Sequence, residues 1–147
     1  MKNILAPIDL SAVSMSVIES AGLLAKALDA KLWIVHVAAP DPDFVGFSAG
    51  PRYVRTHRAD ILRHEHTEVQ AMAERSRQQG VDAEGLLVQG PTTETILGES
   101  IHLKADLIVM GSHGHGALFK ALVGSVCEQV LSGSKVPVMI IPARGNQ

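Results

Sequence analysis

The sequence predicts an α/β domain, an open parallel sheet with helices on both faces. Three observations point there. Five short apolar runs are mostly continuous rather than alternating, which is how strands covered on both faces read. Four longer segments between them carry apolar residues at helical spacing. The composition, 46% apolar but only 3% aromatic over 147 residues, fits one domain with an aliphatic core, spanning 1–147.

The elements follow in order. Asn3–Ile8 (NILAPI) is the first strand. From Ser11 to Leu28, the residues Val13, Val17, Ala21, Leu24 and Leu28 share one helical face, with Ser11 predicted as the N-cap. Lys31–Val37 (KLWIVHV) is the second strand, and His36 within it reads as structural. Ala39–Pro51 is rich in Pro and Gly and too long for an ordinary connection; it reads as a lid or an interface loop. The second helix covers about Tyr53 to Gln79, with Leu62, Val69, Met72 and Ala73 inward and Gly80 as its C-cap. Glu84–Gln89 is the third strand. A helix from about Thr93 to Leu103 turns Leu97 and Ile101 inward. Asp106–Met110 is the fourth strand, and Val136–Ile141 the fifth. Between them a helix beginning near Gly116 would carry Val123, Cys127, Val130 and Leu131 on one face. Strict β-α alternation demands right-handed crossovers and a parallel sheet.

Composition excludes several classes of function. A formal charge of −2 gives no general attraction to nucleic acid or anionic membranes. No segment reaches the roughly 20 apolar residues that span a bilayer, and MKNILAPIDLS does not read as an export signal. One cysteine, Cys127, allows no internal disulfide and suits a reducing compartment. A cytoplasmic protein is expected.

The chemistry concentrates in GSHGHGALFKALVGSV, Gly111 to Val126. In open α/β sheets ligands bind beyond the carboxyl ends of the strands, where the strand order reverses. If the first and fourth strands are central neighbours, the Pro7-Ile8-Asp9 loop lies beside Gly111–Gly116 and the two wall a cleft. Glycines at 111, 114 and 116 let backbone N–H groups approach an anion at a helix N-terminus. Gly124 has two readings on spacing alone. Either the helix starts there, with Ser125 and the next N–H groups holding phosphate, or Gly116 is the boundary and Gly124 is a helix contact costing about 1 kcal/mol against alanine.

The histidines suggest metal only weakly. His64 and His66, two apart on a helix, point to different sides, and neither HExxH nor Cys–His pairing occurs. Arg52, Arg55, Arg58 and Arg63 read as an exposed basic face. Cys127 reads as buried packing rather than a redox thiol. No P-loop G-x4-G-K-[S/T] and no nucleophile–base pair is present, so no catalytic residue is assigned.

Gly111-x2-Gly114-x9-Gly124-Ser125 resembles the G-x2-G-x9-G-[S/T] ATP-binding signature of the universal stress protein family. NILAPIDLS, IVHV, the Gly90-Pro91 turn and VPVMIIP resemble family features in the expected order, over nearly the whole chain. The resemblance implies a Rossmann-like sheet of order 3-2-1-4-5, akin to the adenine nucleotide alpha hydrolases, and a homodimer formed through the C-terminal strand. It implies that Pro7, Ile8 and Asp9 meet the adenosine end of ATP and that Val37 packs on adenine. Met110 and Gly111 continue the pocket, His113 and Gly114 approach ribose and phosphates, and Gly124, Ser125 and Val126 hold the phosphate tail. Mg2+ could accompany the phosphates with few protein ligands. Two positions depart from the family pattern: His115 where arginine is frequent, and Cys127 where a small hydroxyl residue is often found. The expected function is that of a nucleotide-dependent regulator or sensor in the stress response, with at most slow ATP hydrolysis.

Overall fold

A computed structural model describes residues 1–40, 52–112 and 123–143. The elements are β1 (Asn3–Ile8), α1 (Val13–Leu28), β2 (Lys31–Ala38), α2 (Arg52–Gln78), β3 (Ala83–Gln89), α3 (Thr92–His102), β4 (Leu107–Gly111), α4 (Ser125–Gly133) and β5 (Val138–Ile141). The strands form one sheet of order β3-β2-β1-β4-β5, with every pairing parallel. β1 is therefore central. The chain leaves it through α1 toward β2 on one side and returns through α3 to β4 on the other.

Strand alternation divides the core between the two faces. Ile4, Ala6, Ile8, Leu32, Ile34 and Val109 pack with Val17 and Ala21 of α1 and with Val69 and Ala73 of α2. Leu5, Val35, Ile108 and Met110 pack on the other face with Ile96 of α3 and with Cys127 and Val130 of α4. Ile4, Leu5 and Ala6 are fully buried, so β1 contributes apolar surface to both layers. Each such aliphatic side chain stabilises the fold by about 1.5–3 kcal/mol.

The second helix is much longer than the strand it packs against. Its 27 residues span about 40 Å, whereas the 7 residues of β3 span about 23 Å. Only its second half docks, through the buried Val69, Ala73 and Ser76. There the approach is close: a Cβ on Gly85 would lie 2.9 Å from Val69 Cγ1 and 3.0 Å from its carbonyl oxygen. Gly80, at φ +87°, stops the helix as its sequence position implies, with its N–H bonded to the Arg77 carbonyl. The first half extends past the carboxyl edge of the sheet, where the Arg58 guanidinium donates to the Ala39 carbonyl.

Several expectations are corrected. Ser11 is not the cap of α1: Ala12 holds that position in helical geometry without a side-chain cap bond, and the Ser11 hydroxyl makes no hydrogen bond to the first turn. In α3 Ile96 and Ser100 are buried and Leu97 packs partly into the same layer, as expected, while Ile101 is 67% exposed. A one-residue rotation of the helical face accounts for the difference. Leu28 and Leu131 sit at the outer margins of their helices. The fourth helix starts at Ser125, not near Gly116, since Gly124 has extended φ/ψ of −71° and 162°. β5 starts at Val138, after the residue whose proline ring has no N–H to pair.

At the amino edge of the sheet, the Asp106 carboxylate accepts the N–H groups of Lys2 (2.7 Å) and Asn3 (3.0 Å). Asp106 thus precedes β4 and ties its start to that of β1. Alongside, Trp33 Nε1 donates to Asn3 Oδ1 at 3.0 Å, and Lys31 lies over the Trp33 ring while pairing with Glu84. The two backbone donors hold the Asp106 carboxyl below its usual 3.8. A depressed folded-state value means that this stabilisation is present above 3.8 and is lost as pH falls through the lower folded value. Asp106→Asn should therefore lower the melting temperature at neutral pH, and the gap from wild type should close on acidification below about pH 4. Thermal melts of both proteins across that range check it.

Candidate functional site

The site lies where the strand order reverses, beyond the carboxyl ends of β1 and β4. Pro7 and Ile8 are buried as β1 ends. The chain then turns sharply at Leu10, whose φ of +64° is left-handed and costs a non-glycine residue about 1–2 kcal/mol. Asp9 holds that turn. Its Oδ1 accepts the Ser11 N–H at 3.0 Å and the hydroxyl of the buried Ser14 at 3.3 Å. The carboxylate thus faces the first turn of α1, where the positive end of the helix favours it. The Ser11 hydroxyl beside it is buried with no hydrogen-bond partner, an acceptor and donor available to a ligand.

The facing wall is built around Ser112. Its N–H donates to the Ile141 carbonyl at 2.9 Å, its hydroxyl accepts the Ala143 N–H at 2.9 Å, and its carbonyl accepts the Gly124 N–H at 2.6 Å. One buried residue joins the ends of β4 and β5 to the start of α4. It fixes where the helix N-terminus points. Gly124 is the N-cap and offers no side chain to the first-turn N–H groups; the Glu128 N–H is bonded back to the Gly124 carbonyl at 3.0 Å. Ser125 is exposed at this end, and Val126 packs partly into the core, leaving its backbone as the group a ligand could meet. His113 and Gly114, together with His115 and Gly116, lie outside the described residues.

The extended φ/ψ of Gly124 suit any L-residue. Its backbone therefore does not require glycine, and the lack of a side chain matters for what approaches it.

The sheet also separates the sequence-predicted residues by face. Val37 and Met110 belong to the layer beneath α3 and α4, Met110 buried and Val37 partly so. They put apolar surface on the α4 side of the cleft. The Ile8 side chain points into the opposite layer, beneath α1 and α2, so only its backbone can serve the site. Gly111 is half-buried at the tip of β4. Cys127 is buried, and burial pushes its thiol above the usual value, so it is a packing residue with little thiolate. Of the α2 histidines, His64 pairs with Glu68 at 2.6 Å on the exposed face.

Three positions carried little signal in the sequence. Ser112 looks like any loop serine, and neither the left-handed Leu10 nor Ser14 has a pattern that announces it. His36 did offer one: a histidine in a buried strand needs partners. It has two, the Ile8 carbonyl and Glu65.

The universal stress protein family model matches residues 1–142. The chain belongs to this family. It is 36% identical to a universal stress protein of Thermus aquaticus over 118 residues, covering 80% of this chain and 81% of that one. The fold superposes on the Methanocaldococcus jannaschii protein MJ0577 with a TM-score of 0.83 at 21% identity, over 99% and 98% of the two chains. It also matches a universal stress protein solved in complex with cAMP, with a TM-score of 0.71 and 25% identity, covering 95% and 96%. The five-stranded order and the four helices are thus those of universal stress protein structures.

Proposed function

We propose that the cleft between the Pro7–Asp9 turn and the start of α4 binds ATP, and that the protein is a cytoplasmic regulator or sensor whose state depends on the nucleotide. The observation that carries this is the start of α4 at Ser125. The Gly124-Ser125 half of the glycine pattern lies at a helix N-terminus beside the end of β4, where first-turn N–H groups favour phosphate. The related structure with cAMP, an adenine nucleotide, supports the same ligand class.

The residues present fit such a ligand. Val37 and Met110 offer an apolar surface for a base on the α4 face. The Ser11 hydroxyl is an unpartnered buried polar group. From Ser125 onward the first-turn N–H groups of α4 have no side-chain cap, because the N-cap Gly124 has no side chain. Pro7, Ile8 and Asp9 shape the adenosine end, where Ile8 contributes backbone and Asp9 holds the turn. Gly111, His113, Gly114 and Val126 complete the proposed set. Mg2+ would ride on the phosphates. The chain supplies binding and orientation. On this reading any hydrolysis is slow and incidental to signalling.

Chromatography of nucleotide released by denaturing the purified protein, followed by titration of the emptied protein with ATP, tests the reading. Bound ATP or millimolar-or-better affinity is expected; neither being found overturns it. Gly124→Val should keep the melting temperature, because valine is at home in extended backbone, and should weaken ATP binding about tenfold or more. Unchanged affinity would assign Gly124 to packing.

A second copy of the chain is the proposed partner. β5 is the sheet edge beyond β4, it is short, and Met139 on it is 39% exposed. An edge of this kind presents backbone groups that a symmetric copy can pair. Light scattering at micromolar concentration should give twice the chain mass. A monomer there is the contrary result.

A further inference from the structure

His36 is 8% exposed near the carboxyl end of β2, in register with Ile8 of β1. Its Nδ1 lies 3.0 Å from the Ile8 carbonyl oxygen, and its Nε2 lies 2.8 Å from Glu65 Oε2 on α2. A carbonyl oxygen only accepts, so Nδ1 carries a proton and donates it. The short contact on the other side then needs a second proton. Either the ring is an imidazolium facing a carboxylate, or the carboxylic acid donates to a neutral ring. In both cases the pair holds one shared proton, and without it a nitrogen lone pair faces a carboxylate in a site with little water.

Among the described residues, few other charges bear on that proton. α2 contributes Glu65; its neighbour Glu68 pairs with His64 on the exposed side. β1 contributes the Ile8 carbonyl and, one residue on, Asp9, whose Oδ1 is bonded to Ser11 and Ser14. The register partner on β3 is Leu87, and the buried residues of α1 (Ser14, Val17, Ile18, Ala21, Gly22 and Ala25) are uncharged. Glu65 lies N-terminal to the residues that dock α2 on the sheet, and its side chain is 22% exposed against 11% for His36.

We propose that His36 is a positioning residue for the nucleotide cleft, holding the Ile8–Asp9 turn by bridging the Ile8 carbonyl to Glu65 of α2. Its side chain reaches the proposed ligand site through the Ile8 carbonyl, and Val37 of that site follows it in the chain. It grips the last carbonyl of β1, and the next residue is the carboxylate that shapes the turn. Without the Glu65 carboxylate Nε2 has no partner on α2, and the turn loses one of its ties. The proposal rests on the nucleotide reading for its effect on affinity, but not for the tie itself.

The test uses the full chain, as wild type, Glu65→Gln and Glu65→Ala, at one neutral pH. In Glu65→Gln the side-chain amide can donate an N–H to a neutral Nε2 and preserve the bridge. Two-dimensional NMR follows the His36 ring nitrogens and the backbone amides of Asp9 and Leu10. In Glu65→Ala those amides should shift together with the ring; in Glu65→Gln they should stay near their wild-type positions. ATP titration should show Glu65→Ala losing about fivefold or more in affinity and Glu65→Gln keeping it. Asp9 and Leu10 amides that stay in place in Glu65→Ala, or a Glu65→Ala protein with wild-type affinity, overturn the proposal. If wild type binds no ATP at all, the nucleotide reading fails and the amide response alone decides the tie.

Discussion

Everything in this fold depends on β1 being paired on both edges and covered on both faces. Its neighbours are β2 and β4, and Ile4, Leu5 and Ala6 have no exposed surface. A parallel strand in this position forces the chain to leave and return by crossovers on opposite sides. The helices following β1 and β4 then start on opposite faces of the sheet, and the strand ends beneath them are left uncovered. The cleft is a geometric residue of satisfying the central strand.

That constraint also explains the unusual backbone at the end of β1. The chain must pass from a buried strand into α1 within a few residues, which brings Leu10 into left-handed geometry. Asp9 offsets the strain by supplying the acceptor that the Ser11 N–H and Ser14 hydroxyl need. A residue whose type suggests ligand binding is thus also the support of its own loop. The two roles coexist because the carboxylate that braces the turn sits at the positive end of α1.

The fold was legible in the sequence because burial on both faces writes itself as continuous apolar runs. NILAPI ends where β1 ends, and KLWIVHV falls one residue short of β2. Helical faces were read less well where apolar residues crowd together. Ile96, Leu97 and Ile101 fit two neighbouring faces; Ile96 is the buried one, Leu97 packs against Gly133 of α4, and Ile101 is left outside. The start of α4 was ambiguous because glycine spacing fits a cap at either Gly116 or Gly124, and only the backbone at Gly124 decides. Of the site, the strand-end residues were visible from the glycine pattern and its resemblance. The supports were not. Ser112 works through its backbone and a single hydroxyl, and such contacts leave no periodicity or spacing to read.

The two walls of the cleft are consequently built from different chemistry. On the α4 side Ser112 and Gly124 are joined through backbone groups and one hydroxyl, none of which titrates near neutral pH. On the α1 side the turn is held by side chains, Asp9 from within it and His36 with Glu65 from the neighbouring strand and α2. The second wall thereby reaches α2, whose buried residues all lie in its second half. A ligand spanning both walls would therefore meet strand ends tied by backbone at one end and a turn braced by side chains at the other.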